Sequence, residues 1–210
     1  WVRERGITMK KMRIFVLTMA MAAMTATAYA AVPSKTTTDI GGKTEVVAKG
    51  EVEVKDEFVI GSTEDKEPVI EEIAKIYEEV VVQNKPAVEY FPQKVQNAIT
   101  EKLPEVLDAK ELEMNEFVTI HTDGYEEAYG DMDVYFELTT VYDPNQKIVA
   151  LVGFYTGEKD DNGNYIVEWV PMDAEVTEDG RVKVNFAKQD LLKLQNAATA
   201  ALAILSEPIK

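Results

Sequence analysis

The 210-residue sequence contains no cysteine and a single histidine, His121. The missing cysteines remove a disulfide framework, a thiol nucleophile and any thiolate metal site. One imidazole without thiolates cannot supply the ligands of an ordinary zinc site. Serine is scarce: Ser34, Ser62 and Ser206 are all there are. A Ser-His-acid triad needs His121 as its base beside one of them. None of the three stands in the sharp strand-to-helix turn that exposes a nucleophile. His121 itself shares an alternation with Phe117 and Thr119, away from Val118 and Ile120, which reads as an ordinary position on a sheet face. Without disulfides, stability has to come from a hydrophobic core.

Long apolar runs are also nearly missing. The exception follows Lys10, Lys11 and Arg13 and covers residues 14–24. It is about half the roughly 20 residues a membrane-spanning helix needs. Small residues then lead to Ala28-Tyr29-Ala30, the small-x-small pattern of a signal-peptidase site. The segment reads as a removable export signal with cleavage near Ala30; an uncleaved signal-anchor is the alternative. Residues 1–8 precede Met9 and Met12 and read as lying upstream of the true start. With no cysteine after the run, lipid attachment is excluded. The expected location is secreted or at the cell surface.

Basic residues are outnumbered, 22 against 38 acidic, for a net charge of −16. Residues 1–30 hold five of the basic residues and one of the acidic. The expected mature chain therefore has 17 basic and 37 acidic residues, a net of −20. Such a field repels phosphate backbones and anionic lipid. Nucleic acid is excluded as a partner, and no membrane span is expected in the mature protein.

Past the signal, residues 31–64 read as a tether. Gly50-Glu51-Val52-Glu53-Val54-Lys55 alternates and suits one edge strand, its other face being all charge. Phe58-Val59-Ile60 is the first segment expected to pack. A helical pair follows over 65–108. Pro68 sits in the first turn of the first helix, where a missing N–H costs little. Val69, Ile70, Ile73, Ile76, Tyr77, Val80 and Val81 fall on one face. The second helix starts at Pro92 and turns Val95, Ile99 and Leu103 inward, until Pro104 disrupts it.

From Leu112 the period changes to two. Leu112, Met114, Val118 and Ile120 share one side, and Met132, Val134, Phe136 and Leu138 another. Residues 148–155 are apolar on both faces, as a central, doubly covered strand should be. Asp161-Asn162-Gly163-Asn164 and Glu178-Asp179-Gly180 mark hairpins. Residues 190–206 suit either a long helix or a short helical turn and a last strand over 199–205; the second is preferred. The fold class expected is α+β, a two-helix segment followed by an antiparallel β-sandwich of about seven strands over 109–210.

Val152-Gly153-Phe154-Tyr155, Val167-Glu168-Trp169 and the Glu178-Asp179-Gly180-Arg181-Val182 turn leading to Val184-Asn185-Phe186 carry a resemblance. Residues 147–206 resemble the β-sandwich modules of exported Gram-positive bacterial surface proteins. The resemblance implies an exported binding or structural module and brings no catalytic residues with it.

Two loops hold the candidate site residues. Tyr125 and Tyr129 flank Glu126 and Glu127, and aromatic rings four apart could present together to a sugar; the alternative is that both pack against the helical pair. Calcium is the candidate metal, at Asp160 and Asp161. Glu158, Asp160, Asn162 and Gly163 resemble the start of an EF-hand loop, but Trp169 stands at the twelfth position and cannot coordinate. A hairpin turn explains the same residues. The function expected is an exported, non-catalytic binding or structural protein, its partner a cell-wall polymer, a glycan or a protein. The alternative is a small secreted hydrolase using paired carboxylates, which needs two acids across a cleft.

Overall fold

The computed structural model describes residues 44–50, 53–55, 58–61, 67–83, 85–103 and 107–208. The predicted export signal and most of the predicted tether lie outside the described residues. Among the described residues there are eight strands: β1 (Glu45–Ala48), β2 (Val59–Gly61), β3 (Glu113–Asp123), β4 (Met132–Phe136), β5 (Ile148–Lys159), β6 (Tyr165–Val176), β7 (Val182–Phe186) and β8 (Thr199–Ser206). The helices are α1 (Glu67–Ile76), α2 (Gln93–Lys102) and α3 (Lys188–Asn196). Among the described residues, no helix is long and apolar enough to cross a membrane.

All eight strands join one antiparallel sheet in the order β1-β4-β7-β6-β5-β8-β3-β2. The expected class, α+β with an antiparallel sheet, is what the protein has. The strands form a single curled half-barrel, however, and a sandwich is not confirmed. The reason lies in β6. Its first part pairs with β5 up to Met172, and its last part pairs with β7 from Asp173. β6 thus links β5 on one side and β7 on the other, which puts all the strands in one order.

Strand alternation sends side chains into two separate cores. Ala150, Val152 and Phe154 of β5 and Ala200, Leu202 and Ile204 of β8 face one cluster. That cluster gathers Val134 of β4 and Ile60 of β2 from opposite ends of the strand order, so it fills the inside of the curl. Leu191 and Leu194 of α3 belong to it as well. The intervening residues, Val149, Leu151 and Tyr155 of β5 and Ala201, Ala203 and Leu205 of β8, face the second cluster with the helical segment. The doubly covered character expected of 148–155 is present, because β5 lies between β6 and β8 with helices over one face.

A bulge in β3 changes which face its residues use. The register against β8 shifts between Met114 and Glu116. One extra residue reverses the alternation beyond it. Leu112, Met114 and Phe117 thus pack under the helices, while Val118 and Ile120 point into the curl. Sequence alternation alone would put all four even-numbered residues on one side.

The helical segment also departs from ideal periodicity. Val69 and Ile76 are buried, whereas Ile70 is 47% exposed. After Ile76 the chain continues as a π-helical turn, Tyr77–Val82, in which Gln83 N–H reaches back to Glu78 O at 3.0 Å. The wider turn keeps Val80 buried and leaves Val82 exposed. A 3-10 turn, Ala87–Tyr90, leads through Pro92 into α2, which buries Val95 and Ile99. The edge strand predicted over residues 50–55 is not there: β1 forms earlier, at Glu45–Ala48, residues 53–55 are irregular, and 51–52 lie outside the described residues. At the C-terminus the short helix and last strand are α3 and β8.

Candidate functional site

The loop between β3 and β4 holds the predicted tyrosines, and it turns them inward. Tyr125 and Tyr129 are 5% and 3% exposed. Each ring centroid lies 5.7 Å from that of Phe58, and the two are 6.0 Å apart. They belong to the cluster inside the curl, so the helical pair, on the opposite face, is not what covers them. The Tyr125 hydroxyl donates to Gly130 O at 3.1 Å. Glu126 accepts from Lys55 Nζ at 2.5 Å. Glu127 pairs with Lys188 at 2.8 Å, and that hydrogen bond holds its carboxyl below the usual range. The loop holds the four residues together, but the expected pair of exposed rings is not there, because Phe58 packs against both. What it presents to solvent is carboxylate, with the aromatic faces shut in.

Asp160 and Asp161 sit at the tip of the β5–β6 hairpin. Asp160 Oδ1 accepts from Asn162 N–H at 2.9 Å and Asn164 N–H at 2.8 Å. The Asn164 bond is the main cause of the lowered Asp160 pKa. Gly163 takes φ +82°, which glycine adopts without strain. These bonds are those of a turn that uses the aspartate to satisfy its own backbone. Among the described residues, no three acidic or imidazole groups gather as a metal site would need.

His121 is partly exposed, with Nε2 at 3.3 Å from Asp123 Oδ2. Ser206 is completely buried. Its hydroxyl receives Asn115 Nδ2 and Gln146 Nε2, the latter at 3.0 Å. Nearby, Glu116 Oε1 accepts from Thr140 N–H at 2.6 Å. This network fastens the segment between β4 and β5 to the ends of β3 and β8. It leaves neither Ser206 nor Glu116 at a surface where a substrate would meet it.

A second buried carboxyl, Glu72, belongs to α1 and is 7% exposed. Burial raises its pKa, opposed by Lys75 at 3.8 Å. Burial and then Glu72 push up the fully enclosed Tyr155 hydroxyl. A raised folded-state pKa means that folding favours the protonated form. Its stabilisation is complete below the ordinary carboxylate range and is lost as pH rises through the raised value. Glu72→Gln is therefore expected to increase the urea midpoint near neutral pH and to bring no gain in acid. An equal gain at both pH values would contradict burial of a charge as the cause.

Two surface concavities among the described residues bear on function. One lies around Thr44, Glu45, Glu137, Asp179 and Arg181. Arg181 bonds Glu45 at 2.6 Å and Asp179 at 2.8 Å, and stacks over Tyr135 with 5.0 Å to the ring centroid. Hydrogen bonds from Thr177 and then Arg181 keep the Asp179 carboxyl ionised. The arrangement clamps edge strand β1 to the β6–β7 turn.

The other is an open groove of about 560 Å³ between α2 and residues 107–110. Gln93, Gln96, Asn97 and Thr100 line it from α2; Asp108 and Lys110 line it from the facing turn. The four α2 residues fall at i, i+3, i+4 and i+7, one continuous helical stripe. Val95 and Ile99, buried on the other side, fix which way that stripe points. Gln96 Nε2 donates to Phe91 O at 2.7 Å, which anchors the start of the helix. Gln93 Nε2 donates to Asn97 Oδ1 at 3.0 Å. Asp108 accepts from Lys110 N–H at 2.9 Å, and Lys110 Nζ pairs with Glu89 at 3.3 Å. Val88 and Ala109 supply an apolar floor. Sequence reading by hydrophobic period passed over this site. Its signal is the uncharged polar stripe on the outer face of α2. The chain matches no protein-family model, and no curated protein or solved structure matches it.

Proposed function

We infer that the protein is an exported, non-catalytic binding protein that acts at the cell surface or in its surroundings, and that the groove beside α2 is its ligand seat. One observation carries this reading. The chain is 29% charged with a net of −16, yet the α2 stripe of four residues has no charge at all. The groove's two charges, Asp108 and Lys110, cancel. Charge is carried by the acidic surface elsewhere, as by Glu71 of α1 and Glu78 and Glu79 of the π-helical turn after it. A run of amides and a hydroxyl over a concave, part-apolar floor is suited to recognition.

The export-type N-terminal sequence and the resemblance of residues 147–206 to surface modules support the location. Within that reading, β4 and β7 face β3 and β8 across the inner cluster as the two layers of a sandwich module would. The hydrolase alternative gains little support, since Asp108 is the groove's one carboxylate and paired-acid chemistry needs two.

The test is retention of the purified protein on isolated cell-wall material, with and without calcium. Retention independent of calcium, lost in a Gln93→Ala/Asn97→Ala variant, is the expected result. Release in both conditions removes the wall as partner. Calcium-dependent retention transfers the site to Asp160 and Asp161.

A further inference from the structure

Resting on the groove as the ligand seat, we propose that its ligand is an uncharged glycan chain, held through hydroxyl or acetamido groups. The chemistry of the lining selects this class. Gln93 and Asn97 bond each other through Nε2 and Oδ1. Each amide then has its other polar atom left over, an acceptor in Gln93 Oε1 and a donor in Asn97 Nδ2. A sugar hydroxyl, or the N–H and C=O of an acetamido group, satisfies such a pair because it too both donates and accepts. Thr100 gives Oγ1 to Gln96 O at 2.9 Å, and its oxygen can still accept a bond from the ligand. The C–H groups of a sugar would meet the half-buried Leu107 and the small part of Val88 and Ala109 left open.

Charged ligands fit less well. Lys110 already pairs with Glu89, and Asp108 is occupied by the Lys110 N–H. A polyanion meets the field of a chain with net charge −16. A polycation finds a single groove carboxylate, and stronger sites on the acidic surface elsewhere. The Tyr125 loop cannot serve the same sugar, because both of its rings are enclosed.

The experiment titrates the full chain with a chito-oligosaccharide and a cello-oligosaccharide, each at about 50 and 500 mM salt, beside polyglutamate and polylysine. Binding of one or both neutral oligosaccharides is expected, unchanged by salt because no counterions are released. Gln93→Ala/Asn97→Ala should weaken it at least about tenfold. Alanine is the stronger helix former, so α2 is not lost and the melting temperature should hold. Binding that the double variant leaves intact, or no binding of either oligosaccharide, overturns the proposal. So does polylysine binding that alone is lost in the variant. The two readings separate cleanly. If the variant loses wall retention while neither oligosaccharide binds or competes, the groove stands and the glycan fails. If the variant retains wall binding unchanged, the groove itself fails.

Discussion

Trp169→Ala is expected to destabilise the protein by about 3–5 kcal/mol, the range for removing a large aromatic from a packed core. Trp169 is 8% exposed and stands on β6 between the sheet and the helical segment. Phe91 meets it edge-on at 5.1 Å, and Phe117 lies at 6.0 Å. Edge contacts of this kind add to the area the ring buries. Phe91 is also the residue whose carbonyl Gln96 uses to anchor α2. Loss of the indole should therefore loosen α2 and weaken whatever the groove holds, besides lowering the denaturant midpoint. A loss below about 1 kcal/mol would place Trp169 outside the cohesive core and contradict the packing described.

Gly153→Ala should come next in size, at roughly 1–3 kcal/mol or more from overpacking. Gly153 is directly opposite Trp169 in the β5–β6 ladder. A Cβ placed there would fall 2.7 Å from the Trp169 ring atoms Cη2 and Cζ3, closer than carbon atoms approach. The indole lies across the glycine, and no backbone conformation is at issue. The two substitutions should consequently fail to add. In the Trp169→Ala background the added methyl has room, and a double-mutant cycle should return a coupling of about 1 kcal/mol or more. Strict additivity would mean that the ring does not lie over Gly153.

These two residues show what was legible beforehand. A run apolar on both faces made 148–155 legible as a doubly covered strand, whereas the burial of Trp169 is decided by Phe91 and Phe117, far from it in sequence. Hairpins at Gly163 and Gly180 were readable for a similar reason: each needs a positive φ, and each turn carries a glycine for it. The bulge at Met114 to Glu116 was not readable. Nothing local marks an extra residue that only the pairing with β8 reveals. The same limit applies to the sheet as a whole. Hairpin signals identify strands and neighbours, but whether β6 hands over to β7 without a break depends on long-range register. The Tyr125 loop illustrates a different shortfall. Spacing placed two aromatics together, and only the position of Phe58, about 70 residues earlier in the chain, decides that they face inward. The groove on α2 was hidden because polar residues at helical spacing are the ordinary outside of a helix. They become informative once the facing turn with Asp108 and Lys110 makes a concavity over them.

Hydrogen–deuterium exchange of the full chain, free and mixed with soluble fragments of wall material, tests the central claim most directly. The groove reading predicts slower exchange confined to residues 87–110, with the 125–130 loop and the 160–164 hairpin unchanged. Protection at either of those loops, with 87–110 unaffected, would contradict it.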